Sequence, residues 1–494
     1  MKNLIILIFF GFIMTSSVKA QENRFSQDLY NTYEQYREHS IKHRRIKRSD
    51  IDSLIDKLKE KGFFSVRTLG HSAEGREINM VTAGKGKTKV LLWSQMHGDE
   101  STATMALFDI FNFLSASGDS FDPVRREILN KTTLYFIPML NPDGAERFQR
   151  RNALEIDINR DASMLVSPES VILKNTRDSL QADFGFNLHD QSTRHSVGRS
   201  FRSATLSFLA PPVNYERTVN DVRERAMKLI ANMYNELSLF IPGHMAKYPD
   251  DFEPRAFGDN IQRWGTSTIL IESGGWHTDH EKQFTRKMNY TGLLSSMLSI
   301  ATGSYKSRQI EEYYKIPDNA DFIFDLLLRN LTLKTKDLSY RADLGINRME
   351  VSSGGSSLYF HSLIEDMGDL STYFGFEEFD CSSMEAFPGK VHPIIYKDMD
   401  EVRKLNFPEL LKEGFTSVKV RREALHGKHS PVPLNLIAVD ENGKTGYKES
   451  EFKPGAMADL VIYEGPQARF AVVNGFIYDL KTMSNNVFNG LILQ

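Results

Sequence analysis

Residues 88–100 read TKVLLWSQMHGDE, and the architecture of the chain is legible from that stretch outward. Thr88 to Ser94 (TKVLLWS) is apolar and rich in β-favouring side chains, which predicts a buried strand. It runs into Gln95-Met96-His97-Gly98-Asp99-Glu100, and Thr102 to Leu114 (TATMALFDIFNFL) then has helical periodicity. Strand, polar loop and helix make the repeating unit of an α/β sheet, and in open α/β sheets ligands gather where the strands end. His97 and Glu100 stand three apart on the turn entering the helix. At that spacing an imidazole and a carboxylate can converge on one cation; a third ligand from elsewhere would leave one position open for water. An isolated H-x-x-E is a weak signal, and its position at a strand end is what gives it weight.

The same pattern continues on both sides. Thr133 to Pro138 (TLYFIP), Phe184 to Leu188 (FGFNL) and Ser267 to Glu272 (STILIE) read as further strands, and Val219 to Leu239 as a long helix. Strands alternating with helices predict a sheet covered on both faces. His189 follows FGFNL at another strand end. With His97 and Glu100 it completes a set of two histidines and one glutamate, a familiar catalytic zinc set. Past Ser304 short strand-like runs and turn signals dominate, with one helical patch at Pro408 to Glu413. That change predicts a second, mostly β domain over 306–494.

Composition bounds the rest. The 494 residues are 40% apolar and 25% charged, which excludes a disordered chain, a collagen-like chain and a small disulfide scaffold. The formal net charge of −3 gives no electrostatic case for nucleic acid or for an anionic membrane surface. Cys381 is the single cysteine, so intramolecular disulfides and cysteine-cluster metal sites are excluded. At the N-terminus, Lys2, the apolar run Leu4 to Met14 and the small-residue exit Val18-Lys19-Ala20 predict a signal peptide over 1–20. The expectation is a secreted or periplasmic protein with no stable membrane insertion after cleavage. No cysteine follows the run to carry a lipid.

Several ordered motifs over residues 25–305 resemble the zinc carboxypeptidase family. Leu69-Gly70-His71-Ser72-Ala73-Glu74-Gly75-Arg76-Glu77-Ile78 looks like its first motif, His97-x-x-Glu100 like its paired zinc ligands, and Asn141-Pro142-Asp143-Gly144 like its turn. Arg151-Asn152 followed by Asp157-Ile158-Asn159-Arg160 resembles the region that holds a substrate carboxylate. His189 falls at the third zinc ligand, and Thr266 to Glu272 looks like the strand carrying the catalytic glutamate. The resemblance implies an α/β fold with a mixed, doubly covered sheet and a zinc ion on His97, Glu100 and His189. It implies Glu272 as general base and Arg151, rather than the adjacent Arg150, as the cation facing the developing oxyanion, because the Arg-Asn…Asp-x-Asn-Arg pattern starts at Arg151. Asn159 and Arg160 would bind the substrate carboxylate, Arg160 as a bidentate fork. Asp157 would orient a ligand imidazole, and Tyr248 lies roughly where the family keeps a mobile tyrosine. Arg255 and Asp259 are candidates for the specificity pocket. His195, His244, His277 and His280 match no family position and read as loop residues. One departure is Asp161-Ala162 after Asn159-Arg160, where the family commonly continues Asn-Phe; an acid there would change how the substrate terminus is read.

The C-terminal region resembles something else. Asp325 to Asn330, Ala342-Asp343-Leu344-Gly345-Ile346 and Phe387-Pro388-Gly389 are similar to the first β segment of the amidohydrolase superfamily, and Lys453 to Ile462 with Val472 to Gly475 to its last. The two segments flank a catalytic barrel in that superfamily, but the sixty or so residues between them here are too few for one. Lys390-Val391-His392-Pro393 also replaces the usual His-x-His. The expectation is a β-sandwich without its barrel and without a second active site. Two activities remain compatible with the residues beside peptide-bond hydrolysis: removal of acyl groups from N-acyl amino acids, and hydrolysis of cell-wall peptides.

Overall fold

Val90 and Leu92 point to one side of their strand and Leu91 and Trp93 to the other, and all four are buried. A strand with both faces apolar has to lie between two layers, and the computed structural model has that arrangement. It describes residues 24–352, 358–447, 450–483 and 489–493; the expected signal peptide lies outside them. The chain divides into two compact units. One takes the chain up to Gly198 and Arg202–Asp321; the other takes Arg199–Phe201 and Phe322 onward.

In chain order the strands of the first unit are β1 (Ser65–His71), β2 (Glu77–Gly84), β3 (Thr88–Ser94), β4 (Thr132–Ile137), β5 (Phe184–Asp190), β6 (Ser196–Val197), β7 (Leu206–Leu209), β8 (Met245–Lys247), β9 (Ser267–Ser273) and β10 (Asn319–Ala320). Eight of them form one sheet in the order β1-β2-β4-β3-β5-β9-β7-β8, while β6 and β10 make a separate antiparallel pair. The centre is parallel, with β4, β3, β5 and β9 side by side. The flanks β1-β2, β2-β4 and β7-β9 are antiparallel. The sheet is mixed, as the motifs imply. The helices Thr102–Ser115, Asp221–Leu237 and Gln283–Thr302 supply one layer, packed on Val90, Leu92, Phe186 and Ile269. The other face carries Leu91, Trp93 and Ile137 against Leu173 of the helix Pro168–Leu180 and Phe257 and Ile261 of the helix Phe257–Arg263.

The second unit has two sheets, one of eight strands and one of four. The stretches 323–388 and 460–479 join in the larger sheet, where Met384–Pro388 pairs antiparallel with Leu460–Glu464. Leu460, Ile462 and Val472 face one core with Leu328 and Leu344; Val461, Ala471 and Val473 face another with Leu411, Val418 and Val420. The residues between are less purely β than expected. Lys390–Tyr396, Phe415–Arg421 and Asn435–Val439 run parallel with Ile492–Leu493, and short helices at Met399–Val402 and Phe407–Lys412 lie between the first two.

The polar core of the first unit centres on Asp109 and Arg286, both fully buried. Arg286 Nη2 lies 2.5 Å from Asp109 Oδ1 and its Nε donates to Oδ2 at 2.7 Å. Asp109 also accepts from Tyr33 Oη at 2.9 Å and Glu38 N at 2.7 Å. The pair therefore clamps the N-terminal segment onto two helices. Removing one member of such a buried pair leaves an uncompensated charge. Arg286→Met is expected to destabilise this unit by about 3–5 kcal/mol in urea unfolding; a loss below about 1 kcal/mol would mean that the pair does not hold the layer.

Candidate active site

The site begins with the loop that leaves β3. Gln95 sits at φ +50°, in the left-handed region that non-glycine residues rarely adopt. Its Nε2 donates to Gly98 O at 3.0 Å and to Ile46 O at 3.3 Å, which holds the turn. Gly98 is required by close approach: a Cβ there would stand 2.0 Å from Gly144 C. Asn141 locks the two segments together, its Nδ2 donating to Met96 O at 3.2 Å and its Oδ1 accepting from Gly144 N at 2.9 Å. Asp143 is buried beneath, and its carboxylate accepts from Ser72 Oγ at 2.7 Å, Glu74 N at 2.9 Å and Arg76 Nη1 at 2.6 Å. The 69–78 motif and the Asn-Pro-Asp-Gly turn are thus one scaffold beneath the His97 loop.

On that scaffold His97, Glu100 and His189 converge, with ligand-type atoms all within 4.8 Å of one another. His97 Nδ1 lies 2.7 Å from Glu100 Oε1, His189 Nδ1 2.6 Å from Glu100 Oε2, and the two Nδ1 atoms 3.2 Å apart. Both histidines are 2% exposed. Asp157 Oδ1 is 3.1 Å from His97 Nε2. A proton on Nε2, donated to that carboxylate, leaves the Nδ1 lone pair facing inward. His189 Nε2 is buried with no hydrogen-bond partner among the described residues.

The electrostatics ask for positive charge at this point. Burial lowers the pKa of His97, but the Glu100 charge and the bond to Asp157 outweigh it and push it up to about 9. For Glu100, burial is outweighed by the two imidazoles, which hold it well below the usual carboxylate range. Burial keeps His189 below its ordinary value. Two inward imidazole nitrogens and a carboxylate are the donor set of a catalytic zinc site, and the residues present fit that ion.

Around the cluster opens a cleft of about 290 Å³, lined among others by Arg150, Asn159, Arg160, Tyr248 and Glu272. Strand register brings Glu272 there: on the parallel β5-β9 pair it is the direct neighbour of His189. Burial, then the charges of Glu100 and Asp190, raise Glu272 well above the usual range. Beneath it lies Lys282, 2% exposed, whose Nζ donates to Ser273 O at 2.8 Å and Asp190 Oδ2 at 3.1 Å. This ammonium ties the end of β5 to the end of β9, and no motif had drawn attention to it. Asn159 Oδ1 accepts from Phe257 N at 2.9 Å. Arg160 Nη1 donates to Asn159 O at 2.8 Å, and its Nε lies 3.5 Å from Glu253 Oε2. Burial, then Glu272 and Glu100, push the Tyr248 hydroxyl up to about 12.

Two readings need correction. Arg151 is not in the cleft; its Nη1 donates to Glu155 O at 2.8 Å. The cation at the cluster is Arg150, with Nη1 3.1 Å from His97 Nδ1 and Nε donating to Asp157 Oδ2 at 3.0 Å. Adjacent residues of an irregular segment point different ways, and sequence order does not say which faces inward. Asp161 is also turned away from the substrate side: it is buried and accepts from Val166 N at 2.9 Å and Ser167 N at 2.8 Å. It folds its own loop. Among the residues read as bland, His195 lines the cleft and lies 2.5 Å from Asp321, while His244 Nδ1 is 2.9 Å from Ser203 O. Arg255 is not a lining residue; it braces Glu253 at 2.8 Å, whereas Asp259 does line the cleft.

Residues 51–208, which contain His97, Glu100 and His189, match the family model described as zinc carboxypeptidase. Glu272 lies beyond the matched segment. Among curated proteins, an uncharacterised protein of Zymomonas mobilis is 26% identical over 223 residues, covering 44% of this chain and 52% of that protein. Carboxypeptidase D of Homo sapiens is 40% identical over 62 residues, 13% of this chain and 4% of that protein. The chain thus spans about half the length of the first and a small part of the second. Among solved structures, a metallo-carboxypeptidase from Burkholderia cenocepacia is 18% identical with a TM-score of 0.43, covering 52% of this chain and 70% of that one.

The electrostatics of the cluster predict how a metal competes with protons. His97 binds a proton below about 9 and must lose it to offer Nδ1, whereas Glu100 and His189 have none to lose at neutral pH. Zinc affinity is expected to rise about tenfold per pH unit from pH 6 to pH 8, read by competition with a chromogenic chelator. A flat profile would mean that His97 is not a ligand.

Proposed function

We propose that the chain is an exported, zinc-dependent carboxypeptidase that removes residues from the end of a peptide. The observation that carries this reading is the juxtaposition of His97, Glu100 and His189 with Glu272 across neighbouring strand ends. A zinc ion held there would polarise the scissile carbonyl and acidify its bound water. Glu272, a near neighbour in a low-dielectric cleft, takes the water proton and passes it to the leaving amine. To act as a base it has to be ionised, and positive charge at the cluster favours that form against the burial that raises its pKa. The Arg150 guanidinium is the fixed cation available to a developing oxyanion. Asn159 and Arg160 line the same cleft as the fork for a terminal carboxylate. Export rests on the N-terminal segment alone.

Three measurements follow from these roles. Glu272→Gln is expected to keep its zinc and to lose turnover on the order of a thousandfold; near-full rate in that variant would remove Glu272 as the base. Arg150→Ala should lower kcat by on the order of a hundredfold with a far smaller effect from Arg151→Ala, in line with the loss of one oxyanion-stabilising group. A larger loss from Arg151→Ala than from Arg150→Ala would return the assignment to the sequence reading. Protein recovered from the exporting host should begin at Gln21, and a mature chain still starting at Met1 would refute export by cleavage.

A further inference from the structure

Glu272 has a neighbour on each side in the sheet that carries it. His189 stands beside it on the parallel β5, and Ser207 stands beside it on the antiparallel β7. Directly opposed residues of an antiparallel pair share a face, with Cβ atoms about 4.5–5.5 Å apart. The row across these strand ends is therefore ligand, base and serine. Ser207 is fully buried, and the chemistry above gives it no part.

The Ser207 hydroxyl belongs to a network whose direction is fixed. A backbone carbonyl can only accept, so Gln191 turns Nε2 to Ala204 O at 2.8 Å, and the same nitrogen donates to Ser207 Oγ at 2.9 Å. Gln191 Oε1 is then the acceptor for Asn319 Nδ2 at 2.6 Å, and that amide nitrogen also donates to Ser207 Oγ at 3.3 Å. Asn319 is held in turn by the pairing of β10 with β6. Gly274, just beyond the base, makes room for these groups: a Cβ there would stand 2.1 Å from Ala204 O and 2.9 Å from Gln191 Nε2.

Ser207 Oγ thus receives two N–H donors. A hydroxyl accepts through two lone pairs and donates one hydrogen. With both lone pairs taken, the hydrogen has to point away from the two amides, and the acid that shares its row is Glu272. We propose that Ser207 is a positioning residue for the general base: its hydroxyl, oriented by Gln191 and Asn319, donates to the Glu272 carboxylate once that group is ionised and fixes it beside His189. A donor to the ionised form favours that form, which is the one a base needs. The role in turnover rests on Glu272 as the base; the bond itself rests on strand register and on the direction of the network.

Rates and stabilities of the full zinc-loaded chain test the bond and the role separately. Ser207→Ala should lower kcat about tenfold, the scale of one hydrogen bond to a charged group, with KM and zinc content unchanged. In the Glu272→Gln background the same substitution should change the residual rate less than about twofold, because Ser207 acts through Glu272. Asn319→Ala leaves the hydroxyl but frees its direction, and should cost a smaller part of kcat. Urea midpoints of Ser207→Ala, Glu272→Ala and the double variant give a readout without turnover: if the side chains are bonded, the double shift is smaller than the sum of the single shifts. Native kcat in Ser207→Ala with additive midpoints overturns the proposal and leaves Glu272 as the base. A kcat loss just as large in the Glu272→Gln background overturns it too, since the serine would then act on the fold at large. Near-full rate in Glu272→Gln with non-additive midpoints overturns the base and upholds the bond.

Discussion

Two inward-facing imidazole nitrogens 3.2 Å apart, both against one buried carboxylate, are the constraint around which the first unit is organised. Such a cluster is expensive to bury without a compensating cation. The Glu100 charge and the bond to Asp157 push the pKa of His97 up to about 9 against the effect of its burial. The pKa directions around the cluster describe the same need, since Glu100 is held ionised while Glu272, next along the sheet, is driven toward its neutral form. A divalent ion held by the cluster would add positive charge there, which favours the ionised form of both carboxylates. The charge that would suit a metal at the cluster would therefore also favour an ionised Glu272, as the proposed role requires.

Keeping the cluster together takes support from three directions. From below, parallel register sets His189 beside Glu272, and the buried Lys282 bridges the two strand ends through Asp190 and Ser273. From the side, the strained turn at Gln95 is held by its own amide, and Gly98 lets the loop lie against Gly144. Behind that turn, Ser72, Glu74 and Arg76 all bond the Asp143 carboxylate. Motifs that look catalytic because they are close to the ligands are here scaffolding for them. Backbone strain persists only where surrounding contacts over-determine it, and this loop has several such contacts.

How much of this was legible in the sequence depended on whether a residue's role is local. Apolar runs such as Thr88–Ser94 and Ser267–Ser273 announced buried strands because composition and length suffice for that. The convergence of His97, Glu100 and His189 was legible because spacing and strand ends constrain it. The choice between Arg150 and Arg151 was not, since it turns on the path of an irregular segment. Asp161, read as an acid beside the carboxylate clamp, satisfies Val166 and Ser167, a partnership only the folded loop creates. In the second unit, the parallel strands between 390 and 439 were missed because short buried runs do not declare whether they pair in parallel.

The most direct test of the central claim is the zinc K-edge absorption spectrum of the purified chain, taken with its metal content. One zinc per chain is predicted, with a first shell of nitrogen and oxygen donors at about 2.0–2.2 Å, the outer-shell scattering of two imidazoles and no sulfur. His189→Ala should remove one imidazole from that shell. A chain that binds no stoichiometric metal, or whose zinc shell is unchanged when His189 is removed, would contradict the account.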